Sequence, residues 1–188
     1  MSLSAFTRRL LVGAIVAMIT MPILVAPALA ESSTTPSSTT ISVPLTLDCS
    51  SVANTPEAHK VLRDNGLCGY SKGGGITSYT TVIGNCGSLS LNVFNSGGGW
   101  MQWKAEITSS LGPFVLASYG GSWDNWQGGF GPVGRSYGPG LTSDWLDIFG
   151  ILTGPGHVVG QINWAQDTLF WGGTCRNTAV VGASTNVT

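Results

Sequence analysis

The sequence is poor in charge. Lysine, arginine, aspartate and glutamate make up only 9% of its 188 residues, against a usual share of about 25%. It has no Lys/Arg cluster and a formal net charge of −1, which argues against partners such as nucleic acid or anionic membranes. Histidine is scarcer still. His59 and His157 are the only two, so nucleophilic catalysis assisted by an imidazole base has just two candidates. No Cys-x-x-Cys pair occurs, and neither histidine has zinc-ligand spacing to a cysteine, so no metal is expected. The glycine runs Gly73–Gly75 and Gly97–Gly99 lack a following Lys-Ser/Thr. They read as turns rather than phosphate loops, and no cofactor is expected.

Against these absences stands a strong N-terminal signal. Arg8 and Arg9 precede an uncharged apolar run from Leu10 to Val25, and Ala28-Leu29-Ala30 supplies the small-x-small pattern that signal peptidase reads. Residues 1–30 are therefore expected to be a cleaved export signal. An uncleaved membrane anchor is the alternative, but Pro22, Pro27 and the Ala-x-Ala site favour cleavage. The expected mature chain keeps all nine acidic residues and six of the eight basic ones, giving a net charge of −3. No membrane span is expected after cleavage, and the domain is expected to be secreted.

In that compartment the four cysteines become staples rather than ligands. Three pairings are possible. Cys49–Cys68, closing a local loop, and Cys86–Cys175, tying the start of the β-region to its end, are the favoured pair. Residues 31–42 form a Ser/Thr/Pro-rich lead expected to be flexible. Residues 43–180 form one disulfide-stabilised domain, and 181–188 are expected to be a frayed tail. A helix is expected over 55–65, capped by Thr55, with Pro56 and Glu57 in its first turn and Gly66 ending it.

From Ile76 the apolar period becomes two. Leu89, Leu91 and Val93 alternate with polar residues, as do Met101, Trp103, Ala105 and Ile107, and Asn95–Gly99 link the two runs as a hairpin. Val158, Gly160, Ile162 and Trp164 repeat the pattern, placing Trp103 and Trp164 in the core. Phe114–Tyr119 and Leu169–Trp171 read as short strands. Leu141–Leu152 suits strand or helix, and strand fits its surroundings better. The expected fold is mainly β: an antiparallel β-sandwich, immunoglobulin-like in its leading version, with one short N-terminal helix and two disulfides.

No constellation of catalytic residues is evident. His157, after Gly154-Pro155-Gly156, is the better of the two histidines. Asp144 and Asp147, with Glu106 and Asp124 elsewhere, could act as paired carboxylates only if held on one face. Calcium on Asp124, Asn125 and Asp144 lacks any ordered oxygen-ligand repeat. The tryptophans say more. Trp100 falls on the polar face of its hairpin, and Trp123 and Trp126 lie in the glycine-rich segment Gly120–Gly131 beside Asp124, Asn125 and Gln127. Rings with hydroxyl-matching polar neighbours suit a carbohydrate surface. The expected function is a non-catalytic extracellular binding domain for a glycan or surface protein, through Trp100, Trp123, Asp124, Asn125 and Trp126. The alternatives are a small secreted hydrolase using His157 or a carboxylate, and a secreted toxin or antagonist. N-terminal sequencing of the exported protein is expected to start at Glu31. A first residue within the apolar run, or an intact Met1, would show that the signal is not cut there.

Overall fold

The computed structural model describes residues 40–70 and 85–188. The export signal and most of the lead lie outside these residues. β1 spans Ile41–Leu47, followed by a single 3-10 turn and the helix α1 (Pro56–Asn65). Eight further strands follow: β2 (Gly87–Gly97), β3 (Trp100–Ser109), β4 (Phe114–Asn125), β5 (Gly129–Tyr137), β6 (Asp144–Leu152), β7 (Gly156–Leu169), β8 (Thr174–Asn177) and β9 (Val181–Val187). Ile41 and Ser42, placed in the lead by composition, are therefore strand. They pair with Leu91 and Ser90.

The helix forms where its caps put it. The Thr55 hydroxyl accepts from the Ala58 N–H at 3.2 Å, and Gly66, in the left-handed conformation, lets the Leu67 N–H turn back onto the Leu62 carbonyl at 2.8 Å. Ala58 and Leu62 make its buried stripe. The Cys49–Cys68 disulfide closes around it, and Cys86–Cys175 joins the residue before β2 to β8 across 89 positions. In chain-entropy terms a closure of that length is worth about 4–5 kcal/mol.

All nine strands belong to one antiparallel sheet, in the order β5-β4-β7-β8-β1-β2-β3-β6, with β9 also on β7. The sheet is nearly closed. β8 and β9 lie end to end along the same side of β7, β8 against Gln166–Thr168 and β9 against Gly156–Ile162. The last residues of the chain are thus no frayed tail. Val181, Ala183, Thr185 and Val187 are all buried, because β7 would otherwise lack a partner along half its length.

The alternation read in β2 and β3 holds: Leu89, Leu91, Val93, Met101, Trp103, Ala105 and Ile107 are all buried. Leu141–Leu152 contains strand β6, paired along its length with β3, so Asp144 and Asp147 point to opposite faces. The glycine-rich segment Gly120–Gly131 is mostly strand: β4 runs on to Asn125, β5 starts at Gly129, and only three residues turn between them. One further expectation fails. Trp164 is not core. Gly120 pairs with Trp164 but Gly121 pairs with Ile162, a bulge that skips Asn163 and inverts the alternation of β7. Ala165, Asp167 and Leu169 then face inward, and Trp164 lies half exposed across Gly120.

Asp167 is the anomaly of the interior. It is 1% exposed, and neither carboxylate oxygen has a hydrogen-bond partner. Burial pushes its carboxyl up to about 7. The native state therefore holds this proton more tightly than the unfolded chain, where the group titrates near 3.8. The stability it contributes is complete below about pH 4 and is lost as pH rises through 7, a change of up to about 4 kcal/mol. Chemical denaturation is expected to show stability falling from pH 4 to pH 8. Asp167→Asn should flatten that slope and be the more stable protein at pH 8; an equal slope in both proteins would refute this origin.

Candidate functional site

Because β5 and β6 end the sheet, each has, among the described residues, a hydrogen-bonded neighbour on one side only. They face each other across a cleft of about 440 Å³, lined by Trp123, Val133, Arg135, Phe149, Ile151 and Leu152, among others. Each wall follows from local sequence. β5 presents Gly129, Gly131, Val133, Arg135 and Tyr137 on its inner side, and the two glycines leave that face bare where Trp123 crosses from β4. A Cβ at Gly131 would lie 2.7 Å from the Trp123 Nε1, so the ring needs this glycine to lie where it does. β6 presents Trp145, Asp147, Phe149 and Ile151 inward, all only half buried because no strand covers their flank.

A polar group sits among these rings. Arg135 of β5 lies over the Phe149 ring, 4.1 Å from its centre, with its Nε 3.7 Å from the Asp147 carboxylate of β6. The same carboxylate accepts a 2.6 Å hydrogen bond from the Tyr119 hydroxyl of β4. Tyr119 is 1% exposed and packs between Trp103 and Trp145. Burial and then the hydrogen bond to the Asp147 carboxylate push its hydroxyl far above its ordinary range. It stays a donor and is not a nucleophile. The arrangement offers an aromatic wall, a guanidinium and the bare edges of two strands, in a volume typical of small-ligand sites.

The residues singled out from sequence separate. Trp123 lines the cleft. Asp124 points away from it and is exposed. Asn125 is buried and structural: its Nδ2 donates to the Thr153 carbonyl at 2.8 Å and its Oδ1 accepts from the Gln127 N–H at 3.0 Å. Trp126 stands on the turn, 76% exposed, its ring 4.6 Å from that of His157. Trp100 is exposed on β3, beside Leu152 and across Gly150. Hydrogen bonds from Asn125 to Thr153, from Thr153 to Gly99 and from Gly99 to Thr188 gather the turns near Trp100 and Trp126 at one end of the sheet. Of the three tryptophans, only Trp123 is among the residues lining the cleft.

His157 meets no carboxylate. Its Nδ1 is 3.0 Å from the Asn186 Oδ1. Gly134-Arg135-Ser136-Tyr137-Gly138 spells Gly-x-Ser-x-Gly, but it lies within β5, with Ser136 paired to Ser118 and facing solvent. A nucleophile elbow needs a strand-to-helix turn and a histidine, and Ser136 has neither. Tyr119, Arg135 and Phe149 escaped the sequence reading, and Asp147 was weighed only as a partner of Asp144, because these residues meet only across strands. The period of two in 129–137, with Arg135 on the Val133 face, was the one signal available.

No protein-family model, curated protein or solved structure matches the chain. The Tyr119–Asp147 bond supplies a direct check on the cluster. Tyr119→Phe leaves the inward carboxylate without its donor and is expected to cost about 1–3 kcal/mol in urea unfolding. A loss below about 0.5 kcal/mol would show that Asp147 draws its support elsewhere.

Proposed function

We propose that the chain is a secreted, non-catalytic binding domain whose ligand occupies the β5–β6 cleft. The observation that carries this is the convergence of the Trp123 ring, the Arg135 guanidinium and two unpaired strand edges on one open volume. Secretion accords with the two disulfides and with the export signal expected in residues 1–30. Among the described residues no helix is long and apolar enough to cross a membrane. The ligand class expected from the aromatic residues is an extracellular glycan or surface protein, with Trp123 as the stacking platform. A sandwich-like flattening of the sheet accords with contacts across the interior: Trp103 of β3 stacks on Tyr119 of β4, and Tyr119 reaches Asp147 of β6.

Hydrolysis is disfavoured because His157 faces Trp126 and Asn186, and because Asp144 and Asp147 occupy opposite faces. Binding of the mature protein to cell-wall glycans and to intact cell surfaces is the test. Trp123→Ala is expected to weaken retention at least tenfold, about 1.4 kcal/mol, while Trp126→Ala retains binding. Equal retention of all three proteins would remove the cleft from consideration. Turnover of a polysaccharide, peptide or ester by wild type would replace binding with catalysis.

A further inference from the structure

We propose that the β5–β6 cleft accepts an extended polypeptide segment of a partner protein, added as a strand between the two edges. This rests on the binding function above and names its ligand class.

The chemistry of the walls carries the choice. Most of the side chains lining the cleft are apolar, Val133, Phe149, Ile151 and Leu152 among them. Beside the Arg135 guanidinium, the polar groups of the wall are those of the main chain: the C=O and, except at Pro132, the N–H groups that β5 and β6 turn away from β4 and β3. Such groups recur at the strand repeat. The occupant that matches them along the four residues 132–135 and 149–152, about 13 Å at roughly 3.3 Å per residue, is another extended backbone.

A second observation comes from β6 itself. Free edges are ordinarily blunted by lysine, proline or an inward charge spread along them. β6 has nine residues on an open edge, no lysine or proline, and outward-facing Leu146, Ile148 and Leu152, each about half exposed. Its one inward charge, Asp147, is already engaged by Tyr119. Left bare, this edge is a site of self-association; occupied, it is a binding surface.

The side chains then specify the segment. Trp123, Val133, Phe149 and Ile151 face inward, so alternate residues of the partner are apolar. Arg135 is the one charged residue in the lining, and among the described residues its guanidinium donates no hydrogen bond, reaching Asp147 only at 3.7 Å. It selects an acidic residue or a C-terminal carboxylate. Each strand along the sheet opposes its neighbour, so β5 and β6 at the two ends run in opposite directions. A single inserted strand is antiparallel to one edge and parallel to the other.

The test pans a random dodecapeptide display library against the mature protein and then synthesises the enriched peptides. They are expected to carry apolar residues at alternate positions and an acidic residue. Bound, they should slow hydrogen exchange at least tenfold in the amides of 131, 133–135 and 148–152 (Pro132 has none), and N-methylation of alternate peptide amides should weaken them at least tenfold. Failure to enrich any peptide would overturn the proposal, as would protection confined to the Trp126–Phe130 turn or indifference to N-methylation. Cellohexaose or chitohexaose protecting the same edges, with no peptide doing so, would overturn the strand while leaving the binding function standing.

Discussion

The main-chain ladder of β7 is the constraint on which the rest of the structure depends. This strand bonds to β4 along one side and to β8 and β9 in succession along the other. It thereby connects the half of the sheet ending in β5 to the half ending in β6. The bulge at Ile162–Trp164 belongs to the same constraint. By passing over one residue it lets Val158 and Ile162 on one side of it, and Ala165 and Leu169 on the other, all point into a single interior. Without it, half of β7 would present Trp164 and other outward residues to the core.

The interior built this way is mostly apolar, and the two carboxylates that face it differ in kind. Asp147 is satisfied by Tyr119 and approached by Arg135, so its charge is held between two strands that share no backbone bond. Asp167 has no partner and is held near neutrality only by burial. One carboxylate organises the open side of the sheet, and the other is a burden on the closed side. The cleft inherits its polar centre from the first, set among packed aromatic rings.

Much of the fold was legible in the sequence. Thr55, Pro56 and Gly66 mark the helix because capping chemistry is local. β2 and β3 were legible because a hairpin joins neighbours in sequence, and the two disulfides fall as the cysteine positions suggest. What failed was non-local. The inversion at Trp164 needs the register of β4 against β7, and the burial of β9 needs the vacancy beside β7. Of the site, Trp123 was singled out as a binding residue and Asp147 only as a possible partner of Asp144. Trp126 and Trp100 look alike to composition but stand outside, and Arg135 acquires a role only once β6 lies opposite it. The single sheet that emerges is also coarser in its implications than an immunoglobulin-like topology.

The placement of β8 and β9 has a temporal side. β1, near the start of the domain, takes its second partner from Leu47↔Cys175 and its neighbours, and β7 takes its last from residues 181–187. Neither wall of the sheet can be finished until almost the entire chain is free to fold. Contacts of such long sequence separation make for slow, late assembly. A chain with this wiring closes only once its final strand, Val181–Val187, is free to take its place beside β7.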